Sequence, residues 1–212
     1  MVRRCVEFVA GSMILAAGIV LTVKNPWGPS PWDALHLAVA MRAGVSLGQA
    51  NIITSVTLLG VSLLLGGRWS IRWGTLINIV LIGAAIDLYI ALGVPDARPG
   101  LMGILYLAGG VFCLSLGSVL YTRAGFGAGP RDGLSLVLSQ RLPFTVGRVR
   151  LGLEVLAATS GSALGGPLGL ATVVIALGTG PTTDLIFRFL GRGRLPSTVR
   201  IPERAAGKPA EP

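Results

Sequence analysis

Apolar residues come in runs that approach or exceed about 18 residues, the length of α-helix that crosses a hydrocarbon core about 30 Å thick. Short stretches rich in glycine, proline and charge separate them. The pattern predicts spans near residues 6–23, 47–65, 73–92, 101–121, 149–164 and 168–190. The first break has three prolines and a glycine between residues 26 and 31. Within it, Ser30-Pro31-Trp32-Asp33 reads as a helix start, with Ser as N-cap, Pro at the first position and an acid in the first turn. The helix that follows, from Pro31 to about Arg42, has about 12 residues and reaches only about 18 Å. That is too short to span, so it lies in the interface or dips in as a re-entrant half-helix. A second short helix is predicted from Pro130 to Arg141.

These two short helices are copies. A shift of 99 aligns Gly28 with Gly127, Pro31 with Pro130, Asp33 with Asp132 and Leu35 with Leu134. The same shift pairs Gly18 with Gly117, Gly48 with Gly147, and Gly66-Gly67 with Gly165-Gly166. After two residues drop out, a shift of 97 pairs Thr75 with Thr172, Gly83 with Gly180, Asp87 with Asp184 and Leu88 with Leu185. An internal repeat at a fixed period is a statement about architecture. Residues 1–98 form one copy and 99–190 the other. Each has three spans and one short helix. Residues 191–212 are basic, contain proline and are poor in apolar side chains, a composition expected of a disordered tail.

Composition confirms the environment. The 212 residues are 52% hydrophobic and 13% charged, with a mean hydropathy of +0.73, whereas soluble domains carry about 25% charged residues. The expected fold is therefore an all-α, multi-pass membrane protein of about six helices. The net charge of +9 does not point to nucleic acid, because the basic residues form no cluster interleaved with aromatics. They follow membrane topology instead. With the N-terminus inside and six spans, 15 of 18 Lys and Arg fall on the cytoplasmic side and 3 outside, as the positive-inside rule requires. An eight-span arrangement, which moves Arg68, Arg72, Arg123 and Arg131 outside, fits it less well. Both termini are then cytoplasmic. Three spans per copy invert one copy relative to the other, an arrangement that recurs in secondary transporters with the binding site between the repeats. Met1-Val2-Arg3-Arg4 before the first run resembles a signal peptide. That run is long for a signal, and no small-x-small cleavage pattern precedes Lys24, so it is read as a retained span. Trp27, Trp32, Trp69 and Trp73 fall at span ends, as in an aromatic belt. Cys5 and Cys113 lie in apolar runs and are expected as buried free thiols.

The candidate functional residues are the ionisable and polar groups within these runs. Asp33 and Asp132 each sit in the first turn of a short helix, where an acid offsets the helix dipole and accepts backbone N–H bonds. That local role accounts for one Pro-x-Asp; two that meet near the midplane would bind a cation or proton. Anions are disfavoured there because each helix start already carries a carboxylate. Glu154, with Arg148 and Arg150 just before it, is an acid well inside a span, a functional site unless paired. The pairing candidates are Arg150 at i, i+4 and Arg131 across the repeat. The functional alternative is a carboxylate that takes up and releases a proton. His36 lies one turn after Asp33 and is expected as its hydrogen-bond partner rather than as a metal ligand. Asn78, Thr75 and Thr172 suit interhelical hydrogen bonds, and Asp87 and Asp184 suit snorkelling to the interface. No paired His/Cys ligand set, phosphate-cradling loop or Ser–His arrangement is present, so neither enzymatic activity nor a cofactor or metal is expected.

Ser30-Pro31-Trp32-Asp33-Ala34-Leu35-His36, Gly74-Thr75-Leu76-Ile77-Asn78 with Ile82-Gly83 and Ile86-Asp87, and Gly127-Ala128-Gly129-Pro130-Arg131-Asp132-Gly133-Leu134 resemble the YczE/YitT-like family of bacterial integral membrane proteins. The similarity extends to about Leu190 and includes Arg148 followed by Glu154, while Asp184 stands where the family implies an uncharged polar residue. The resemblance implies a bacterial inner-membrane location and no defined activity. The reading favoured by the sequence is a transporter or channel for a small solute or ion, with a pathway between the repeats. Its candidate residues are Asp33, His36, Asn78, Arg131, Asp132 and Glu154. The alternative is a non-transporting scaffold whose basic tail recruits a cytoplasmic partner or anionic lipid. Homodimerisation is compatible with either.

Overall fold

Glycine, proline and capping hydroxyls set the ends of eight α-helices in a computed structural model that describes residues 1–67, 72–127 and 129–190. They are α1 (Val2–Val23), α2 (Pro31–Ala43), α3 (Leu47–Leu64), α4 (Trp73–Ala91), α5 (Leu101–Ala124), α6 (Pro130–Arg141), α7 (Val146–Ala163) and α8 (Leu170–Leu190). The two short helices start where Pro31 and Pro130 place them. The Ser30 hydroxyl accepts from the Asp33 backbone N–H at 3.2 Å, and α2 stops at Gly44 in the left-handed conformation, φ +65°. α3 opens with a capping box between Ser46 and Gln49. α7 begins three residues earlier than the apolar pattern predicts, because the Thr145 hydroxyl accepts from Arg148 N at 3.4 Å and starts the helix on a charged turn.

Among the described residues five helices, α1, α3, α4, α5 and α8, are long and apolar enough to cross a membrane. α7 is not among them although it has 18 residues, since Arg148, Arg150 and Glu154 interrupt its apolar character. The tail expected to be disordered lies outside the described residues, as does Trp69. Cys5 and Cys113 are free, but Cys5 is exposed rather than buried because it occupies the first turns of α1, beyond the packed part of the bundle.

The centre of the bundle is the pair α1 and α5, which run antiparallel in close contact. Glycines make the approach possible. A methyl group on Gly11 would lie 2.6 Å from Tyr121 N, one on Gly18 2.7 Å from Leu114 N, and one on Gly117 2.5 Å from Leu15 N. Gly110 faces Thr22 on the same seam. Small residues that let backbones meet are a principal source of helix association in lipid, where burying apolar side chains gains little. Outside this pair, α4 packs on α1 and α8 on α5. The short helices cross over: α2 packs on α7, and α6 on α3. Each also touches the third helix of its own copy, α2 with α3 and α6 with α7.

Polar ties close the two ends. At one, Lys24 O accepts from Ala97 N at 2.9 Å, Asn25 Nδ2 donates to Gly103 O at 2.8 Å, and Ala171 N donates to Trp27 O at 2.9 Å. Arg42 Nε donates to Leu164 O at 3.0 Å, filling a carbonyl at the C-terminus of α7. At the other end the rings of Phe8 and Phe126 meet edge to face with centroids 5.3 Å apart, and the Arg141 guanidinium lies beside Gly66.

Replacing Gly117 by leucine should dismantle the α1–α5 seam, because the facing atoms are backbone and cannot yield. Overpacking of this kind costs about 1–3 kcal/mol or more. Thermal unfolding in detergent should show a lowered midpoint or loss of the monodisperse species. Gly152→Leu, at a position with open space around it, should leave both unchanged.

Candidate functional site

The Ser30 cap and the proline after it bring Asp33 to the third position of α2, and α1 closes over it. The carboxylate is 2% exposed. Ser30 Oγ donates to Asp33 Oδ2 at 2.5 Å, and Thr22 Oγ1, in the last turn of α1, lies 2.8 Å from the same oxygen. The Thr22 hydroxyl is also 2.8 Å from Ile19 O, so its single proton serves one of the two acceptors at a time. His36 Nδ1 stands 3.5 Å from Asp33 Oδ1, one turn on as the spacing predicts, and Asn51 Nδ2 lies 3.5 Å from that ring nitrogen. A buried carboxylate is tolerable when hydroxyl and imidazole groups surround it this way.

The second copy repeats the frame with different chemistry. Tyr121 Oη donates to Asp132 Oδ2 at 2.5 Å. Tyr121 is the repeat partner of Thr22, so in each copy a hydroxyl at the end of the first helix reaches the acid that starts the short one. Where the first copy has Asn51 and Ser55, the second has Arg150 and Glu154. Arg150 bridges two acids, with Nη1 3.7 Å from Asp132 Oδ1 and Nε 3.7 Å from Glu154 Oε1. Glu154, 8% exposed, is thus paired at i, i+4 with Arg150, and Asp132 joins the same cluster.

Two cavities flank these clusters. The first, about 50 Å³, is bordered by Asp33, His36, Asn51 and Asn78 from one copy and by Tyr121, Pro130 and Arg131 from the other. The second, about 20 Å³, is bordered by Arg150, Glu154, Ser118 and Thr179 from the second copy and by Ser30, Pro31 and Trp32 from the first. They are repeat equivalents. Leu15, Ile19, Asn51, Ser55, Asn78, Ile79 and Ile82 of one answer in register to Leu114, Ser118, Arg150, Glu154, Ile175, Ala176 and Thr179 of the other. Trp32 and its partner Arg131 border both.

Asp33, His36, Asn78, Arg131 and Glu154 therefore border one or both cavities, whereas Asp132 borders neither and supports Arg150 and Tyr121 from behind. Several sequence expectations change. Trp32 is 5% exposed, a cavity wall rather than a belt residue, because the short helix is folded inward against α7. Asp87 does not snorkel. It accepts from Ser46 Oγ at 2.5 Å and from Gly48 N at 2.8 Å, and so caps α3 from α4. Asp184 is exposed. Thr172 Oγ1 accepts from Gly169 N at 3.1 Å, at the start of its own helix. Asn78 Oδ1 does reach another helix, 3.5 Å from Ser12 Oγ. Thr22, Tyr121 and Trp32 went unnoticed in the sequence as site residues, although the shift of 99 that pairs Thr22 with Tyr121 was a usable signal. Among the described residues no group of His, Cys, Asp and Glu comes together that could hold a metal ion.

A bundle of long apolar helices with buried, mutually satisfied polar clusters is an α-helical membrane protein. The chain belongs to the family of unknown function DUF6198, whose sequence model matches residues 2–188. It is 34% identical over 202 residues to the uncharacterized membrane protein YczE of Bacillus subtilis, covering 95% of this chain and 89% of that one. It is 30% identical over 179 residues to an uncharacterized protein of Haemophilus influenzae, covering 84% and 81% of the two chains. To the uncharacterized protein YyaS of Bacillus subtilis it is 28% identical over 166 residues, covering 77% and 82%. No solved structure matches.

Thr22→Val and Tyr121→Phe each remove one hydroxyl donor from a carboxylate. Each should lower stability by about 1–3 kcal/mol, the cost of leaving a partly desolvated acceptor unsatisfied, as measured by denaturant unfolding in micelles. If the serine and imidazole contacts alone satisfy Asp33, Thr22→Val will be silent.

Proposed function

We propose that this protein moves a small polar solute or ion across the bacterial inner membrane, along a path between its two copies, without covalent chemistry. The observation that carries the reading is the pair of repeat-equivalent cavities that meet at Trp32 and Arg131. Buried ionisable side chains border both cavities, and ionisable groups within a lipid-embedded bundle are functional sites by default.

The packing supports an inverted repeat. The first helices of the two copies, α1 and α5, lie antiparallel, with Gly11 and Gly18 against Gly117 and Gly110. Arg42 meets the C-terminus of α7 at one end, and its partner Arg141 lies beside Gly66, past the C-terminus of α3, at the other. In this reading α7 is the sixth span. Its charges are carried by turning Arg150 and Glu154 toward the protein, with both termini cytoplasmic. The broken segments at Pro31 and Pro130 then bring two helix starts to the interface between copies, the position of binding sites in inverted-repeat transporters.

The cavity volumes set a scale. A water needs about 10–15 Å³ of such space, so the 50 Å³ cavity admits a few waters or a small ion. Anything larger requires the bundle to open. Asp33 with His36 on one side, and Glu154 with Arg150 on the other, give the path one titratable carboxylate per copy.

Purified protein in liposomes should carry a flux of protons, Na⁺ or K⁺, read with pH- and cation-sensitive dyes, that Asp33→Asn and Glu154→Gln abolish. Unchanged flux in both variants and in Asp132→Asn would sink the assignment. If function in cells is instead lost on removing residues 191–212 and kept in the acid variants, the protein is a scaffold.

The topology has its own test. With Cys5 and Cys113 replaced, an impermeant thiol reagent should label a cysteine at position 44 in intact cells, and one at 142 only after lysis. Labelling of both on the same face rules out inversion.

A further inference from the structure

The two copies differ at one seam. α3 lies packed along α4, while α7 and α8, their equivalents, make at most marginal contact among the described residues. At the first seam Asp87 caps α3 through Ser46 Oγ and Gly48 N. Gly48 abuts Gly83, and a methyl group on it would also run into Asp87 Cγ at 2.6 Å. The second copy keeps every part of this device. Thr145 stands for Ser46, Gly147 for Gly48, Gly180 for Gly83 and Asp184 for Asp87. Thr145 already caps its own helix through Arg148 N, but the other three parts lie apart: Asp184 and Gly147 are exposed, and a methyl group on Gly147 or Gly180 would meet nothing within 4 Å.

Gly180 is the telling residue. It lies inside α8, where glycine weakens a helix relative to alanine, yet nothing in the arrangement seen requires it. The next residue is Pro181, which lacks the N–H that would tie it to the preceding turn. α8 therefore has a weak point one turn before Asp184, at the place where it would need to bend.

We infer that the α3–α4 seam and the α7–α8 gap are two positions of one exchanging latch. In a second conformation Asp184 caps α7 at Thr145 and Gly147, with Gly147 against Gly180, while Asp87 releases Ser46 and Gly48. The inference rests on the inverted-repeat transport reading for its use: one seam opens the path to one side and the other seam to the opposite side. Each conformation then adds an acid to one helix start and leaves the other with its hydroxyl cap alone. Nearly identical parts on both sides keep the two states close in free energy, as a two-state device requires.

Two distances test it in the full chain, with Cys5 and Cys113 replaced by serine and the protein in lipid nanodiscs. Spin labels at 53 and 88 report the first seam, and labels at the equivalent positions 152 and 185 report the second. All four positions are exposed. The otherwise unchanged chain should show mainly a short 53–88 and a long 152–185 distance. Asp87→Ala should move the ratio of the two states about tenfold or more toward a short 152–185 distance, the effect expected from losing two hydrogen bonds to a charged group. Ser46→Ala, which removes one donor and leaves the acid in place, should move it the same way by less. Adding Gly180→Leu to either should restore the first state without lowering the melting temperature, since that side chain has space only while the gap is open. If 152–185 stays long in both the Asp87→Ala and the Ser46→Ala chains, there is no exchange and the latch is refuted. Flux measured on the same samples separates the two readings. Exchange without proton, Na⁺ or K⁺ flux leaves the latch and removes the assigned transport of these ions. Flux that Gly180→Leu leaves intact gives a channel and removes the latch from the transport path.

Discussion

The close approach of α1 and α5 is the contact on which the rest of the bundle depends. In lipid, apolar side chains gain little by leaving their surroundings, so helices associate where backbones fit and polar groups pair. Gly11 and Gly18 on one helix and Gly110 and Gly117 on the other supply that fit, and they supply it in a self-complementary way, since the shift of 99 converts one pair into the other. On this antiparallel pair, α4 packs against α1 and α8 against α5. The short helices then reach across to the partner copy's third helix.

That crossing determines the polar interior. A short helix on its own would place its first-turn acid at the membrane surface. Folded against the other copy's third helix and closed over by its own first helix, it puts Asp33 in the interior, where Ser30, Thr22 and His36 satisfy it. In the second copy the same frame holds a tyrosine and an arginine instead, and the acid pairs with a cation. One acid thus lies among hydroxyl and imidazole groups and the other in an ionic cluster. Trp32 and Arg131, equivalent in the repeat and different in chemistry, stand between the two cavities.

The copies also differ in how far they are closed. An acid at the end of α4 satisfies the start of α3, whereas the equivalent acid of α8 faces outward. Side-chain capping of a helix start gains about 0.5–2 kcal/mol, so the difference between the two helix starts is a small one.

Much of this was legible along the chain. The apolar runs gave the long helices to within a few residues, and Ser30-Pro31 and Pro130 fixed the short ones through capping and the fixed φ of proline. The pairing of Glu154 with Arg150 was readable because four residues make one helical turn. What could not be read were contacts between residues far apart in sequence. Nothing local singled out Thr22 or Tyr121, and the fold brings each onto a carboxylate. Trp32 looked like a belt residue, and Asp87 like a snorkelling acid. Local physics, meaning hydropathy, capping and helical period, acts over a few residues and is written in the sequence. Which helix covers which depends on backbone fit across the bundle, and only the tertiary structure decided that.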